Sequence, residues 1–312
     1  MTEQPAARAL VVGEALVDVV LRPGAEPAEH PGGSPANVAI GLGRLGRRVD
    51  LLTWLADDAH GDLVREHLAG SDVHVLAGDR GPERTPVARA HLDAEGAATY
   101  EFDLTWDLPT RWDEGGDAPV VVHTGSIATV ITPGGEAVAR LLADRRDTST
   151  ITYDPNLRPA LMGSPEDTLP VVERLVALAD VVKVSDEDLA WLHPGVAPAE
   201  IARDWLGRGP ALVVVTLGGE GALAITAGGD EVLVEAPRVE VADTVGAGDS
   251  FMGALIDGLW SADLLGADRR ETLHAIDRAT VERVLVRCAQ VAAITVSRSG
   301  ANPPTSADLG ES

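Results

Sequence analysis

The chain has 312 residues and a formal net charge of −24. This length is enough to bury the core of one large α/β domain with a smaller appendage. The strong negative charge excludes nucleic acid and anionic membranes as expected partners, because both attract basic patches.

Further features of the composition predict a soluble cytoplasmic protein. The single cysteine, Cys288, cannot form an intramolecular disulfide, which suits a reducing compartment. No run approaches the ~18 consecutive apolar residues that span a bilayer, and the first residues show no signal-peptide pattern. Lys183 is the only lysine among 25 Lys and Arg residues, which we attribute to a high-GC coding bias.

Two short apolar runs near the start of the chain predict strands. Residues 9–12 form one run, which ends at Gly13, and residues 17–21 form the other, with Asp18 in its middle. On sequence alone, an aspartate at such a position is more often simply solvated than part of a site.

Residues 30–46, HPGGSPANVAIGLGRLG, predict a glycine turn followed by a helix. Gly32 and Gly33 permit the turn, Ser34 is a capping residue, and apolar residues then recur at helical spacing. An ordinary capped helix would explain these features. Asn37, however, lies in the first turn, where its amide can both donate to and accept from a polyhydroxylated ligand.

A strand, a helix and a β-hairpin are predicted next. Residues 50–55 form an apolar strand, and residues 57–68 begin with DDAHG and continue as a helix. The strand-like runs at 86–92 and 98–102 are joined by residues 93–97, DAEGA, which are typical of a turn.

From residue 120 onward, short apolar strands alternate with amphipathic helices. Such alternation predicts a parallel sheet with helices on both faces. Ligands bind these sheets at the carboxyl ends of the strands, where Asp154, Ser185 and Thr216 lie. The predicted strands are 120–124, 150–153, 181–184 and 212–216, and the predicted helices are 134–143, 169–179 and 199–206.

Two polar segments follow strands of this predicted sheet. Residues 154–159, DPNLRP, are stiffened by two prolines, and Asn156 and Arg158 offer hydrogen bonds. A rigid loop with a surface arginine is the competing interpretation. Residues 216–221, TLGGEG, contain glycines that allow a nucleotide to come close, as any glycine-rich turn would.

The most informative segment is residues 241–257, VADTVGAGDSFMGALID. A Gly-Ala-Gly turn at 246–248 leads into an apolar helix, whose unpaired N–H groups and positive dipole end favour an anion such as phosphate. Asp249 would repel that phosphate. We therefore interpret its carboxylate as facing a hydroxyl that loses its proton while attacking the phosphate. A tight turn before an N-capped helix is the competing interpretation.

The order of these segments resembles the ribokinase/PfkB family of sugar kinases. The D-T-V-G-A-G-D turn is similar to the family's carboxy-terminal signature, and the GGSPAN segment to its amino-terminal one. The resemblance covers nearly the whole chain and implies a single ribokinase-like domain over residues 1–312. The implied α/β fold is a three-layer sandwich with a central, mostly parallel sheet and a small β-sheet lid, formed from about 14–30 and 85–106.

The resemblance also implies roles for individual residues. Asp249 would be the general base, and the backbone N–H groups of Ala247, Gly248 and Asp249, with Gly246 in the turn, would stabilise the transferring phosphoryl group. The implied sugar-binding residues are Asp18, Gly32, Gly33, Asn37, Arg158 and Asp249. The implied nucleotide-binding residues are Ser185, Thr216, Gly218, Gly221 and Gly248.

Two kinds of metal ion are implied by the same resemblance. Asp188 stands where the family has Glu in its N-x-x-E region, and the adjacent Glu187 could compensate, so the two would organise Mg²⁺ through water. Asp243, together with the loop 297–301 after a long helix at 279–296, corresponds to a region that holds a monovalent cation such as K⁺ in relatives.

The implied activity is transfer of the γ-phosphate of ATP to a primary hydroxyl of a sugar. DPNLRP and GGSPANVA are most like fructokinase, which would make fructose 6-phosphate. The alternatives are a 2-keto-3-deoxygluconate kinase, for which Arg89 or Arg158 could bind the substrate carboxylate, another ribokinase-like kinase, and a sugar sensor without catalysis. The expected partners are a small sugar and ATP, and a homodimer through the exposed edges of the lid.

Other nucleotide enzymes are disfavoured by motifs that the sequence lacks. It has no P-loop G-x-x-x-x-G-K-[ST], no protein-kinase H-R-D or D-F-G set, and no G-x-G-x-x-G after the first strand. It also has no Cys/His cluster with zinc spacing.

Overall fold

The computed structural model describes residues 7–92 and 98–310. Within them, the strands are β1 (Ala9–Val12), β2 (Leu16–Leu21), β3 (Ala28–Gly32), β4 (Val49–Leu52), β5 (Val73–Val75), β6 (Val87–Leu92), β7 (Ala98–Asp103), β8 (Val121–Gly125), β9 (Thr150–Asp154), β10 (Val181–Ser185), β11 (Leu212–Thr216), β12 (Ala222–Thr226) and β13 (Glu231–Val234). The α-helices are α1 (Ser34–Arg44), α2 (Ala59–Ala69), α3 (Gly134–Arg145), α4 (Pro159–Met162), α5 (Pro165–Val176), α6 (Asp186–Leu192), α7 (Pro198–Leu206), α8 (Ala247–Ser261), α9 (Arg270–His274) and α10 (Arg278–Val296).

The large sheet has the strand order β13-β12-β11-β10-β9-β8-β1-β4-β5 in the described residues. From β5 to β11 every pairing is parallel, and β12 and β13 add two antiparallel pairings at one edge. The strand β1 is buried along its whole length, because helices cover both faces of the sheet. The prediction of a central, mostly parallel sheet is confirmed.

Helices on the two faces enclose two separate apolar cores. Side chains of α1, α2, α8 and α10 form one core with the sheet, and side chains of α3, α5, α6 and α7 form the other. The alternation of side chains along the strands sends neighbouring residues into opposite cores; Val11 belongs to the first and Val12 to the second. The result is the predicted three-layer sandwich.

Two glycines allow α1 and α8 to cross in close contact. A Cβ on Gly253 would lie 3.7 Å from the Cα of Gly41 and 3.4 Å from the carbonyl oxygen of Val38. These distances are ordinary van der Waals contacts, so the crossing has room for alanine and for no larger side chain. Glycine inside a helix costs about 1 kcal/mol relative to alanine, and the packing of the two helices does not by itself require that cost.

A second, four-stranded sheet has the order β3-β2-β6-β7. The strands β2 and β6 are parallel, and both outer pairings are antiparallel. The predicted hairpin of β6 and β7 is confirmed, with Val87 opposite Asp103, whereas its predicted linker, residues 93–97, lies outside the described residues. Along β2, Val17 and Val19 are buried and Asp18 is exposed, as expected for a sheet with one covered face.

The sequence analysis missed several edge elements. The segment AEHPG of β3 lacks apolar alternation, and pairing with β2 makes it a strand. The strands β5, β12 and β13 were also missed, as was the short helix α9. None of the described helices is both long and apolar enough to cross a bilayer.

Candidate active site

The N-terminus of α8 begins with a glycine in a conformation that other residues rarely adopt. Gly246 has φ +76°, and a Cβ on it would lie 2.6 Å from the Cβ of Ala301. The N–H of Ala247 donates to the carbonyl oxygen of Thr244 at 3.3 Å. Among the described residues, the N–H groups of Gly248 and Asp249 have no acceptor, which is the arrangement that binds anions at helix termini.

The carboxylate of Asp249 is buried and held by three side-chain donors. The Ser34 hydroxyl donates to Oδ1 at 2.7 Å, and the Asn156 amide donates to the same oxygen at 3.1 Å. The Asn37 amide donates to Oδ2 at 2.8 Å. An ionised carboxylate offers about four acceptor positions, so one position on Oδ2 remains for a hydroxyl.

Ser34 has a different role from the one predicted. The cap of α1 is Gly33, with φ +110°, which has no side chain to cap the helix. The Ser34 hydroxyl instead bonds Asp249 and also accepts a hydrogen bond from the Asn156 amide at 2.7 Å. The prediction of a serine cap was wrong, because helical periodicity does not reveal the cross-chain partner of a hydroxyl in the first turn.

Glycine is also required where the small sheet joins α1. A Cβ on Gly33 would lie 2.5 Å from the carbonyl oxygen of Glu14, and a Cβ on Gly32 would lie 2.5 Å from Oδ2 of Asp18. Solvent reaches the Asp18 side chain, yet the surrounding protein removes part of its hydration and raises its pKa. The charges of His30 and Arg158 act in the opposite direction.

Glu14 is a buried acid that the sequence analysis did not single out. Its Oε2 accepts a hydrogen bond from the Ala128 N–H at 3.1 Å, and the Ser126 hydroxyl also bonds the carboxylate. Burial raises the pKa of Glu14 to about 7, although these hydrogen bonds and the charge of Arg158 lower it. An acid directly after an apolar strand and a glycine was the available signal.

Arg158 orients the amide of Asn156. Its Nη1 donates to the side-chain oxygen of Asn156 at 2.7 Å and to the backbone oxygen of the same residue at 3.0 Å. With its oxygen held in this way, the Asn156 amide presents its nitrogen to Ser34 and Asp249. Arg158 itself is exposed and thus open to a ligand.

A buried ion pair lies behind the turn that begins α8. The ammonium of Lys183 donates to Oδ2 of Asp154 at 2.8 Å, and the two side chains are only 3% and 1% exposed. Burial raises the pKa of Asp154 to about 6; Lys183 lowers it, and the charges of Asp188 and Asp249 raise it further.

Comparison with known proteins identifies the family. The model of the pfkB family carbohydrate kinases matches residues 6–308. A fructokinase from Rhizobium leguminosarum bv. trifolii is 36% identical over 269 residues, which cover 82% of this chain and 81% of the relative. The chain belongs to the pfkB family of carbohydrate kinases.

Solved structures of similar proteins agree with this family. A sugar kinase from Pyrococcus horikoshii in complex with ATP has a TM-score of 0.78 at 25% identity, covering 96% of both chains. A double mutant of the Vibrio cholerae O395 fructokinase with bound fructose, ADP and potassium ion has a TM-score of 0.76 at 25% identity, covering 95% of this chain and 94% of the other. The protein is thus a PfkB-type sugar kinase that uses ATP.

In this kinase, the start of α6 lies next to the Asp249 region. Ser185 caps the helix by accepting a hydrogen bond from the N–H of Asp188 at 3.0 Å. Oδ1 of Asp188 in turn accepts one from the N–H of Leu157 at 3.1 Å, so α6 is tied to the loop that carries Asn156. Glu187 is exposed.

The nucleotide-binding candidates of the kinase occupy the neighbouring strand end. Thr216 is opposite Ser185 in the register of β10 and β11, so the two predicted residues are adjacent. In the loop that follows Thr216, Gly218 and Gly221 both have positive φ. A Cβ on Gly221 would lie 1.9 Å from the carbonyl oxygen of Val234, so this glycine is required by the packing of β13.

Asp243 joins the two segments that were predicted to hold a monovalent cation. Its Oδ1 accepts a hydrogen bond from the N–H of Val245 at 3.0 Å, and its Oδ2 accepts one from the N–H of Gly300 at 2.9 Å. These hydrogen bonds lower the pKa of Asp243. Across the described residues, no group of three or more His, Cys, Asp or Glu side chains could hold a metal ion directly.

Proposed function

We propose that this kinase transfers the γ-phosphate of ATP to a primary hydroxyl of fructose and forms fructose 6-phosphate. The observation that carries the proposal is Asp249, a buried carboxylate with one acceptor position left, next to two backbone N–H groups that have no acceptor among the described residues. The similarity to the Rhizobium fructokinase supports fructose as the sugar.

In the proposed reaction, the sugar hydroxyl donates its hydrogen bond to the remaining acceptor position of Asp249. As the hydroxyl oxygen attacks the γ-phosphorus, its proton moves to the carboxylate, and the bond from phosphorus to the β–γ bridging oxygen breaks. ADP leaves with that oxygen. Ser34, Asn37 and Asn156 keep the carboxylate oriented during this exchange.

The phosphoryl group carries negative charge throughout the transfer. The N–H groups of Gly248 and Asp249, at the positive end of α8, would stabilise it, and Gly246 sets the turn that aims them. Ser185, Thr216, Gly218 and Gly221 at the neighbouring strand ends would hold the nucleotide.

The donor set at α6 fits a magnesium ion bound through water. Mg²⁺ commonly keeps several waters and takes one or two carboxylates together with phosphate oxygens. Oδ1 of Asp188 is bonded to Leu157, and in the described part of the chain Oδ2 has no hydrogen bond, so it is available, with exposed Glu187 beside it. Mg²⁺ would neutralise phosphate charge. Asp243 and residues 297–301 are the proposed monovalent-cation region.

The small sheet is the proposed sugar-binding lid. Asp18 projects from β2, and Gly32, Gly33 and Asn37 follow from β3 into α1, so the sugar would lie between this sheet and Asp249. A lid that excludes water prevents transfer of the phosphoryl group to water. We also propose a homodimer through the edges of this sheet, and a cytoplasmic location.

The proposal is tested by an ADP-release assay with ATP and magnesium. Fructose, 2-keto-3-deoxygluconate, ribose and adenosine are compared at equal concentrations, and the phosphorylated product is identified by mass spectrometry and NMR. We expect turnover with fructose and phosphate on its C6 oxygen. Turnover only with the keto acid would transfer the assignment to that substrate, and sugar binding without any turnover would show a sensor.

A further inference from the structure

Lys183 has an unusual position for a basic side chain. Its Nζ lies 2.9 Å from the place that a Cβ on Gly248 would occupy. The ammonium is therefore packed against the backbone of the turn 246–249, the proposed phosphate site. Every other member of the 25 Lys and Arg residues is arginine. A compact ammonium fits beneath a glycine where a broad, planar guanidinium would not. The absence of a side chain at Gly248 therefore leaves the space that the Lys183 ammonium occupies.

The pair of Lys183 with Asp154 is poorly built for stability. Both side chains are almost completely buried, and only Oδ2 of Asp154 is bonded. Its Oδ1 is buried without a hydrogen-bond partner among the described residues. Removing two charges from water usually costs more than their attraction returns, and an unbonded oxygen adds to that cost. Stability alone therefore does not explain the pair.

The surroundings of Lys183 contain several negative charges, and His123, whose pKa the charge of Lys183 lowers, adds no positive charge. Asp154 on β9 interacts with the charges of Asp188 on α6 and Asp249 on α8. His123 on β8 is fully buried, and this burial, aided by the charge of Lys183, lowers its pKa to about 3, so the imidazole is neutral. Lys183 supplies the buried positive charge among these carboxylates.

We propose that Lys183 is a positioning residue for phosphoryl transfer, whose ammonium offsets the surrounding carboxylates and so allows the turn 246–249 to accept the terminal phosphate of ATP. The inference rests on the proposed role of that turn. Lys183 acts from beneath Gly248, with no need to touch the sugar. The positive end of the Lys183–Asp154 pair faces the turn, which adds to the positive end of α8.

The test compares two variants that distinguish the effect of the Lys183 charge from the effect of its ion pair with Asp154. Asp154→Asn keeps the ammonium and removes its partner's charge. The double variant Asp154→Asn with Lys183→Met removes both charges, so it leaves no unpaired buried ion that could unfold the protein. For each, kcat and the KM for sugar are measured with ATP, and binding of ATP and of AMP is measured by calorimetry without sugar.

Relative to Asp154→Asn, we expect the double variant to lose about 100-fold in kcat and about tenfold in ATP affinity, the scale of one lost electrostatic contact to the phosphoryl group. Its AMP affinity and its KM for sugar should change less than about twofold, because AMP has no terminal phosphate and the Asp249 carboxylate that would accept the sugar hydroxyl is present in both variants. Equal kcat and equal ATP affinity in the two variants would show that Lys183 only balances Asp154, and would overturn the inference.

The same measurements separate this inference from the proposed function. If the wild-type protein turns over none of the sugars, the proposed function fails, and the ATP and AMP affinities still decide the role of Lys183. If the wild type turns over a sugar and the two variants are indistinguishable, the proposed function stands and the inference about Lys183 fails.

Discussion

The helices α6 and α8 both have an aspartate as their third residue, and the two helix starts are built differently. In α6, Ser185 caps the helix and occupies the N–H of Asp188. In α8, Gly246 offers no side-chain cap, and among the described residues the N–H of Asp249 stays unpaired. Glycine at the N-cap costs only a few tenths of a kcal/mol relative to a capping side chain, so the open start of α8 costs the fold little and leaves donors for the proposed phosphate.

The two carboxylates differ in the same way. Asp188 is bonded by the backbone N–H of Leu157 and thus ties two loops together. Asp249 is bonded by side chains from α1 and from the loop after β9, with an acceptor position left over. Asp188 therefore connects two loops, whereas Asp249 keeps one acceptor position for the proposed reaction.

The sharpest test of this comparison is to neutralise each aspartate in turn. We expect Asp249→Asn to lower kcat by about 10²–10⁴-fold with little change in sugar affinity, because an amide cannot take the proton. Asp188→Asn should act mainly on the KM for ATP and magnesium, with a loss in kcat of about tenfold or less. ADP release at saturating fructose gives both values. Equal losses in kcat would contradict the distinction between the two helix starts.

A second prediction concerns the glycine that opens α8. Gly246→Ala must hold a Cβ at φ +76° and 2.6 Å from the Cβ of Ala301, so the turn has to shift. We expect kcat to fall by about 100-fold, as when a donor to the transition state is misplaced.

Gly195→Ala is the matched control for this variant. Gly195 has φ +80°, and in the described part of the chain no atom lies within 4 Å of the place that a Cβ would occupy. Alanine at this position therefore introduces backbone strain without a steric clash. The variant should lose about 1–2 kcal/mol of unfolding free energy and keep its kcat. A similar kcat in both variants, measured alongside thermal unfolding, would show that the turn tolerates displacement.

The backbone of Glu14 lies against Gly33 at the start of α1, and the contribution of its buried carboxyl to the unfolding free energy depends on pH. The folded protein holds a proton on Glu14 up to about pH 7, whereas the carboxyl has an ordinary pKa of 4.5 when unfolded. Between these values the folded state binds more protons, so its unfolding free energy falls as pH rises, by ~3 kcal/mol in total. Below the lower value, and above the upper one, this contribution is constant.

Glu14→Gln removes this dependence, since glutamine does not titrate. Both proteins are unfolded with urea at about pH 5 and about pH 8. The unfolding free energy of the variant, relative to that of the wild type, should be higher at the higher pH. The difference between the two proteins is the informative quantity, because Asp154, whose pKa is raised to about 6, titrates in both. A difference that does not vary with pH would contradict the buried, protonated Glu14.

The smallest expected effect comes from removing the cap of α6. Ser185→Ala and Ser164→Ala both delete a hydroxyl that accepts from the N–H three residues on, at 3.0 Å and 3.2 Å. Each should lower the unfolding free energy by about 1 kcal/mol. We expect only Ser185→Ala to raise the KM for ATP, because Ser164 caps α5 outside the site. A raised KM in both variants would point to general destabilisation.

The parts of the fold that were predictable have local signals. Apolar strands alternating with amphipathic helices predict the parallel sheet, which is confirmed. The glycine turn with Asp249 is an equally local signal, and the anion site that it predicts stays a prediction. The strand β3 has no such signal, because its pairing with β2 comes from the tertiary fold. Likewise, Ser34 and Asp249 are 215 residues apart, and their hydrogen bond depends on how two helices cross.

The ion pair of Asp154 and Lys183 was predictable only in part. Val181 is opposite Thr152 and Val182 opposite Tyr153, so continuing the register places Lys183 opposite Asp154. The sequence predicted both strands, yet the register could not be derived, because two fully buried apolar strands can slide without changing which residues are apolar. The contact of Lys183 with Gly248 adds a third element and requires the packed structure.

The crossing of α1 and α8 determines how far Asn37 lies from Asp249, the proposed base. Gly41 lies four residues after Asn37, and Gly253 lies four residues after Asp249. The contact between the two glycines is therefore one helical turn from the hydrogen bond between Asn37 and Asp249. Because neither glycine has a side chain, the backbone atoms of the two helices determine the distance between them at the crossing. A methyl group on either glycine would make ordinary van der Waals contact across the crossing, 3.4–4.0 Å from the nearest atoms, so alanine is expected to fit. A larger side chain would push the two helices apart and move Asn37 away from Asp249, although it would touch no substrate.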